Sequence, residues 1–468
     1  MWELISNNKV LPKLVLLSAY LAISAYILFN FDGTGDSADS ITHYLFARYA
    51  PEQHELFFNH WAKPLFVILA SPFARLGFTG IKIFNILLNT ITILFTIKTA
   101  ENTGVKSALL SGLIVVCSPL FFVLGFSGLT EPLFACMLSV SLYLATRNKH
   151  FSAAALVSFL PFVRSEGLII AGVFGLFFLI KRNLKVIPLL TTGHLVFSIA
   201  GSFYYGDLLW VFNKIPYAHL SSIYGEGDIF HFFRQLLYLT GVPNYFLLWS
   251  GCLVMLYQSV RHRLNSELSI LVLGGFLAFF IAHTIFRAFG IFNSMGLIRV
   301  FIAVIPLMAI IATKGAEGIA SFLPNKWRNI FVGVLSAYIL VFPFTKNHAS
   351  IHPKTDFNLS TDQIQSIELC KRLSDQIDIN RQTFIYSHPY LSYCLNINHF
   401  DPQKHEDPQG VFPGNIEPGY IFIWDCWFTP VHHQISLEQV RNSDEFREIL
   451  AYGGEQDTNF VVFRRIKR

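Results

Sequence analysis

The chain has 468 residues, of which 53% are hydrophobic and only 14% are charged. Soluble globular proteins carry about 25% charged residues, so the composition excludes an ordinary soluble protein. The net charge of +5 is small for this length and is spread over the loops, which excludes the basic surface typical of nucleic-acid-binding proteins.

Uncharged apolar runs of about 17 to 22 residues recur along the chain, close to the roughly 20 residues that cross a bilayer as a helix. They predict about eleven transmembrane helices. The predicted spans are 14–30, 62–78, 80–98, 107–124, 127–146, 150–181, 186–203, 235–258, 268–288, 296–314 and 329–345. The first run is too long for the core of a signal peptide, so we interpret it as a retained helix.

Lysines and arginines in short loops favour the cytoplasmic side of a membrane. Most of the basic pairs in short loops fall on one side if the N-terminus is cytoplasmic. The loop 31–61, the loop 204–234 and the C-terminal part then face outward. Arg147 and Lys149 do not fit a simple count. We therefore expect two short helices within 150–181 and a break near Pro119, because proline disrupts the preceding helical turn.

From residue 350 the density of charges becomes normal, which divides the chain into a transmembrane domain, 1–349, and a small domain, 350–468. An amphipathic stretch at 361–377 predicts a helix, and short apolar runs predict strands at 383–386, 420–424 and 460–463. The predicted fold is thus an all-α polytopic membrane protein with a C-terminal α/β domain. The six cysteines show no CxxC spacing, so the sequence predicts neither a zinc site nor a disulfide framework.

The first outward loop is unusually rich in ionisable residues for so apolar a chain. Carboxylates at a membrane edge can act as a general base toward a hydroxyl or hold a cation, and nearby His, Trp and Lys can position phosphate or sugar. The alternative is an ordinary solvated polar loop. The candidates in this loop are Asp36, Asp39, His43, His60, Trp61 and Lys63.

Two further carboxylates stand within or beside apolar runs, where charge is expensive and marks a functional site by default. Glu131 begins a run after Ser-Gly-Leu-Thr, and a helix cap explains it equally well. Glu166 lies two residues after Arg164, and an internal ion pair between them is the alternative to phosphate binding by Arg164.

Arg287 and Arg299 bracket the segment Phe-Asn-Ser-Met-Gly at the outer ends of two late spans. A guanidinium can bind phosphate through two parallel hydrogen bonds. Snorkelling to the membrane interface is the alternative. The aromatic loop 204–234 is typical of an interfacial belt, although such side chains also stack on sugars. The common motifs of nucleotide-driven pumps, zinc proteases and serine hydrolases do not occur in a supporting context.

The ordered set of these motifs resembles the lipid-phosphosugar-dependent glycosyltransferases of the GT-C fold, over about residues 10 to 315. Members carry an acidic motif in the first outward loop, and here Asp39 stands five residues before Tyr44, with Asp36 three residues upstream of Asp39. The family's Lys-Pro-Leu, Glu-Pro-Leu and Arg-x-Glu-Gly elements are matched at residues 63–65, 131–133 and 164–167. The family's commonest form has adjacent acids, whereas this loop spaces them.

This resemblance implies an inverting transfer of a hexose, with mannose as one candidate, from a polyprenyl- or dolichyl-phosphate sugar to a glycan, lipid or protein acceptor at the outer face. It implies Asp39 as base, with Asp36 as second choice. Lys63, Arg164 and Arg299 would hold the donor phosphate. His43, His60, Trp61, Glu131 and Glu166 would complete the substrate site. No cofactor is expected, because protein cations can hold a single phosphate, although paired acids can also hold a divalent cation.

Short loops favour a bacterial inner membrane, with the site and the C-terminal domain outside the cytoplasm and membrane lipids as neighbours. Two other functions fit parts of the pattern. A transporter or flippase of a lipid-linked glycan would also have many helices and buried charges, although no inverted repeat is visible. A non-enzymatic assembly subunit would use the C-terminal domain instead.

Overall fold

The computed structural model describes residues 10–217, 221–408, 416–452 and 459–466. Among the described residues, helices predominate before residue 345 and every strand lies after residue 383. The predicted fold class, a helical membrane protein with a small C-terminal α/β domain, is confirmed.

The α-helices of the described membrane part follow one another through short connections. They are α1 (Leu11–Asn30), α2 (Asp39–Tyr49), α3 (Pro64–Ala74), α4 (Phe78–Asn102), α5 (Ala108–Val116), α6 (Pro119–Leu124), α7 (Glu131–Thr146), α8 (His150–Val157), α9 (Gly167–Ile180), α10 (Thr192–Tyr205), α11 (Trp210–Asn213), α12 (His231–Thr240), α13 (Val242–Val260), α14 (Gly275–Ala288), α15 (Ile305–Ser321) and α16 (Asn325–Val341). Short 3-10 segments are His54–Phe58, Leu160–Phe162, Leu184–Thr191, Ile298–Val304 and Phe342–Phe344, and Glu267–Gly274 is a π-helix.

Six helical stretches in the described chain are long and apolar enough to cross a membrane. They are Leu11–Asn30, Phe78–Asn102, Leu184–Tyr205, Glu267–Ala288, Ile298–Ser321 and Asn325–Phe344. The chain is therefore a multi-pass membrane protein. The count of about eleven spans stays a prediction, because several predicted spans form helices shorter than a bilayer requires.

Helix breaks explain the difference between predicted and observed spans. The breaks predicted at Pro119 and within 150–181 are confirmed, since α5 ends at Val116 and α8 is separate from α9. The continuous span predicted at 235–258 is wrong. Gly241 divides it with a φ of 75°, a conformation that glycine adopts readily, and an added Cβ there would lie 2.7 Å from the Phe342 ring.

Helix α15 lies at the centre of the membrane domain. In the span that contains α15, 78% of the most apolar stretch of residues is buried. The corresponding stretches of the spans that contain α1 and α16 are each 17% buried. Helix α13 packs closely against it because small residues let the backbones approach. A Cβ added to Gly251 would lie 2.0 Å from the Ile311 carbonyl oxygen, and one added to Gly315 would lie 2.2 Å from the Leu247 carbonyl oxygen.

The C-terminal domain is a five-stranded mixed sheet with helices on its faces. Its helices are α17 (Pro353–Asp356), α18 (Thr361–Gln376), α19 (Pro389–Leu395), α20 (Phe428–His433) and α21 (Leu437–Arg441), with a 3-10 turn at Ile379–Arg381. Its strands are β1 (Phe384–Ile385), β2 (His405–Glu406), β3 (Ile421–Asp425), β4 (Phe446–Tyr452) and β5 (Phe460–Arg465).

The sheet order is β2-β1-β3-β5-β4, in which β1 pairs in parallel with β2 and β3, and β5 pairs antiparallel with β3 and β4. Alternate residues of a strand point to opposite faces. Ile421 and Ile423 of β3 accordingly pack in one apolar cluster with α18, and Phe422 and Trp424 pack in another with α21. Because both faces are covered, β3 reads as a continuous apolar run.

The spacing of the cysteines predicted no disulfide framework, but one disulfide joins Cys370 of α18 to Cys394, near the end of α19. The two residues are 24 positions apart and belong to no spacing motif. The packing of α19 on α18 brings their Cα atoms to 6.0 Å, within the range that a disulfide bridges.

We expect Gly315→Ala to lower the stability of the membrane domain, because the new methyl group would press on the Leu247 carbonyl. Overpacking of this kind costs about 1–3 kcal/mol. Gly333→Ala is the matched control, because nothing lies within 4 Å of its Cβ position in α16. Thermal unfolding of both variants in one detergent checks this. Equal melting temperatures would contradict the proposed close contact between α13 and α15.

Candidate active site

A cavity of about 1500 Å³ lies between the membrane helices and the C-terminal domain. The membrane domain contributes the loop after α1, the turn before α9, and the segment from 283 to 300. The opposite wall comes from the α17–α18 region and from the segment after β3. Both predicted domains therefore line one site.

Asp36 and Asp39 lie together in this cavity at the start of α2. Asp36 Oδ1 accepts hydrogen bonds from the backbone N–H groups of Ala38 (2.7 Å) and Ser40 (3.4 Å), an arrangement that fixes the turn into the helix. Asp36 Oδ2 accepts a hydrogen bond from Arg299. Asp39 is the more accessible of the two, with 39% of its side chain exposed against 23% for Asp36.

Arg299 is the residue that joins these acids to the helix bundle. It belongs to the 3-10 segment before α15, and its two terminal nitrogens contact Asp36 and Asp39. Its Nε lies 3.6 Å from Glu131 Oε1. One partly buried guanidinium thus neutralises carboxylates from two distant parts of the chain.

The same alternation of charge continues through Arg164. Its terminal nitrogens lie 2.9 Å from Glu131 Oε1 and 2.9 Å from Glu166 Oε1. Glu166 Oε1 lies 3.8 Å from His283 Nε2 of α14. We call the set Asp36, Asp39, Arg299, Glu131, Arg164 and Glu166 the charge chain.

Glu131 is the buried centre of the charge chain, with 1% of its side chain exposed. It stands at the first turn of α7, where a carboxylate suits the helix dipole, so the capping alternative is compatible with its position. It does not line the cavity itself, whereas Arg164 and Glu166 do. The structure therefore places Glu131 behind the site as the partner of both arginines.

Lys63 differs from the two arginines because no carboxylate of the described chain lies within ion-pair distance of it. Its Nζ donates a hydrogen bond to Ser165 Oγ at 2.8 Å and lines the cavity. Its backbone has a φ of 71°, which is strained for a residue with a side chain. Among the predicted phosphate ligands, Lys63 is the cation best placed to meet a new anion.

The aromatic candidates of the first loop separate into two groups. His43 stacks on Trp61 with ring centroids 4.9 Å apart, and both line the cavity. Trp61 Nε1 donates to the Tyr217 hydroxyl at 2.9 Å. His60 does not line the cavity. Its Nε2 pairs with the Val211 carbonyl at 3.0 Å, and its ring packs near Trp210, so the structure places His60 away from the cavity and its substrate-binding role stays a prediction.

The loop 31–39 carries Asp36 and Asp39, and we call it the acid-bearing loop. Buried hydrogen bonds fix this loop to the C-terminal domain. Gln363 Nε2 donates to Thr34 Oγ1 at 2.6 Å, and Thr34 Oγ1 donates to the Asp36 carbonyl at 2.8 Å. Ser40 Oγ donates to the Thr34 carbonyl at 2.8 Å and accepts from the Gly128 N–H at 2.6 Å. The relay links three elements that are distant in sequence.

A second contact between the loop and the domain involves Asp362. Burial would raise the pKa of this carboxyl, but hydrogen bonds from His388, Ser360 and Ser37 hold it well below its ordinary value. Ser37 belongs to the acid-bearing loop. A backbone hydrogen bond also joins the loop to the domain, since the Gly33 N–H donates to the Phe357 carbonyl at 2.7 Å.

Several cavity residues escaped the sequence predictions. His283 stands in an apolar span, and its polarity there is a signal that sequence reasoning could have used. The C-terminal residues His388, Trp427, His432 and His433 also line the cavity. They belong to a domain that no motif connects with the first loop, so only tertiary structure brings them there.

The described residues contain no group of three or more His, Cys, Asp and Glu side chains arranged to hold a metal ion. Arg299 already contacts both Asp36 and Asp39, the pair that the sequence suggests for a divalent cation. The expectation that no cofactor is needed stays a prediction.

We expect Gln363→Leu to loosen the loop 31–39, because Thr34 would lose a buried partner. An unsatisfied buried polar group costs about 1–3 kcal/mol. Hydrogen exchange of peptides covering this loop should rise in the variant. Gln376→Leu, at the exposed end of the same helix, is the control. Unchanged exchange in Gln363→Leu would contradict the role of the relay.

Comparison with known proteins places this geometry in a known fold. No protein-family model and no curated protein matches the sequence. Solved structures do match. ArnT from Cupriavidus metallidurans in the apo state has a TM-score of 0.60 at 13% identity, covering 97% of this chain and 98% of that chain. ArnT bound to undecaprenyl phosphate has a TM-score of 0.55 at 12% identity, covering 95% and 97%.

The structural likeness extends beyond the region 10–315, where the sequence motifs resemble the family, and reaches into the C-terminal domain. At this identity the likeness shows the fold. The chain is a multi-pass membrane protein with the GT-C fold, as the ordered motifs of its sequence predicted.

Proposed function

We propose that this protein is an inverting membrane glycosyltransferase that uses a polyprenyl-phosphate sugar as donor. The observation that carries the proposal is that Asp39 and Lys63 line the same cavity. The carboxylate of Asp39 is accessible, and Lys63 forms no ion pair with a carboxylate among the described residues. The solved structure of ArnT with undecaprenyl phosphate supports a lipid phosphate as the leaving group.

In the proposed reaction, Asp39 takes the proton from an acceptor hydroxyl. The acceptor oxygen then attacks the anomeric carbon from the face opposite the phosphate. The bond between that carbon and the phosphate oxygen breaks, and its electron pair stays on the departing lipid phosphate. A positioned carboxylate can supply the base, and a fixed cation stabilises the leaving charge.

Asp36 stays the second candidate for the base, but its contacts favour a structural role. It accepts backbone hydrogen bonds on Oδ1 and contacts Arg299 through Oδ2, so both oxygens have partners. Arg164 and Arg299 each contact carboxylates, which favours positioning over direct phosphate binding. Lys63 is then the principal phosphate ligand, with Trp61 and His43 near the sugar.

The transfer is tested with purified protein, a radiolabelled polyprenyl-phosphate hexose, mannose among the sugars tried, and membranes as acceptor. We expect Asp39→Asn to reduce transfer by about 10²–10⁴-fold, the usual contribution of a general base. Asp207→Asn is the matched control, because Asp207 lies in another predicted outward loop and does not line the cavity. Lys63→Met should weaken donor binding by about tenfold to a hundredfold, since it removes a charged hydrogen bond.

Undiminished transfer by Asp39→Asn and by Asp36→Asn would overturn the assignment of the base to either of these residues. If no polyprenyl-phosphate sugar supports transfer, the protein is not the enzyme proposed. A transporter or flippase of a lipid-linked glycan would instead move a labelled lipid across proteoliposomes without forming a new glycosidic bond.

We also propose that the protein lies in a bacterial inner membrane, with the cavity and the C-terminal domain on the side away from the cytoplasm. The basic residues of the short loops and the Cys370–Cys394 disulfide support this orientation, because disulfides persist in oxidising compartments.

Cys426 offers a direct test of this orientation. It is an exposed free thiol in the C-terminal domain, whereas the free thiols of Cys117, Cys136 and Cys252 are buried. In intact spheroplasts, a membrane-impermeant maleimide should label the wild-type protein and leave the Cys426→Ser variant unlabelled. Labelling only after lysis would place the domain in the cytoplasm.

A further inference from the structure

The cavity is chemically asymmetric. All of its described lysine and arginine side chains, Lys63, Arg164 and Arg299, come from the membrane domain. The C-terminal domain has basic residues, such as Lys371 and Arg441, but none of its described ones lines the cavity. One end is therefore suited to an anion and the other is not.

The opposite face, which we call the C-terminal wall, consists of Asp362, His388, Trp427, Phe428, His432 and His433. His388 Nε2 lies 3.3 Å from Asp362 Oδ2, and His433 Nε2 lies 3.6 Å from an oxygen of Asp407. These pairs present carboxylates and imidazoles to the cavity. An anionic group on a ligand would meet carboxylates here, and no described lysine or arginine of this wall would balance its charge.

Trp427 gives this wall an aromatic platform. Its side chain is 50% exposed, although its backbone is held firmly. The backbone N–H of Trp427 donates to the buried Asp425 carboxylate at 3.0 Å. The same carboxylate accepts a hydrogen bond from Thr429 Oγ1 at 2.7 Å. Beside it, the rings of Phe428 and His432 are stacked with centroids 5.8 Å apart. Exposed aromatic faces of this kind can bind the apolar faces of sugar rings.

His433 carries an unfilled polar position on the same wall. Its side chain is 8% exposed, and its Nδ1 has no hydrogen-bond partner in the described structure. A buried polar atom without a partner is unfavourable unless a ligand or water satisfies it. A sugar hydroxyl can either donate to this nitrogen or accept from it.

The C-terminal wall faces the proposed base. Burial and His433 lower the pKa of His432, while the carboxylates of Asp425, Asp407 and Asp39 oppose that shift. Asp39 and His432 line the same cavity. A ligand on the wall would present its hydroxyls toward Asp39.

We propose that the C-terminal wall is the acceptor subsite and that it binds an uncharged saccharide, stacked on Trp427 and hydrogen-bonded to His433. The assignment of this ligand as the acceptor rests on the proposed glycosyltransferase function. Donor phosphate occupies the cationic end, and the uncharged sugar occupies the other.

The test measures binding of the full-length protein in lipid nanodiscs to an array of immobilised oligosaccharides. The array contains neutral glycans and anionic glycans that bear phosphate or uronate. We expect binding to neutral glycans and no preference for anionic ones. Trp427→Ala should weaken that binding by about tenfold, and Trp427→Phe should retain most of it. Trp327→Ala is the matched control, because Trp327 is equally exposed but lies in α16 outside the cavity.

A preference for anionic glycans, the absence of any glycan binding, or wild-type binding by Trp427→Ala would overturn the proposal. The transfer assay separates this result from the proposed function. If neutral glycans bind through Trp427 but are never glycosylated, the subsite stands and the glycosyltransferase proposal fails. If transfer occurs and Trp427→Ala leaves the acceptor KM unchanged, the enzyme stands and the subsite is excluded.

Discussion

The guanidinium of Arg299 contacts Asp36 and Asp39 and lies near Glu131, and the geometry of the cavity depends on this arrangement. Charges removed from water are tolerated when opposite charges and hydrogen bonds compensate them. Removal of Arg299 would leave the carboxylates of Asp36, Asp39 and Glu131 close together without this cation between them. The alternation continues through Arg164 to Glu166, so the loop after α1, the start of α7 and the turn before α9 are held in one register.

The C-terminal domain completes the site. Its contacts with the loop 31–39 are largely buried, and its wall closes the cavity opposite the charge chain. In the proposed reaction this loop carries the base, and a reacting group must be held within a fraction of an ångström of its productive position. The relay from Gln363 through Thr34 to the Asp36 carbonyl supplies that restraint from outside the membrane domain.

Local chemistry made much of the site predictable. Asp36, Asp39, Lys63, Arg164 and Arg299 stood out because charge is rare and costly in so apolar a chain. The structure brings these residues to one cavity. His60 lies in the first outward loop as well, but its ring packs beside Trp210 because one side of this loop faces the protein interior. Sequence spacing cannot distinguish a histidine that faces a cavity from one that caps a small apolar cluster.

The sequence by itself determined the membrane character, the helical fold class and the position of the C-terminal domain, because hydropathy and charge density act locally along the chain. It also revealed the breaks at Pro119 and within 150–181, which follow from proline geometry and polar residues. Tertiary structure alone decided which charges pair, that Cys370 meets Cys394, and that Trp427 lines the same cavity as the acid-bearing loop. These contacts join residues up to hundreds of positions apart, and their energies depend on distance and burial, which no local pattern encodes.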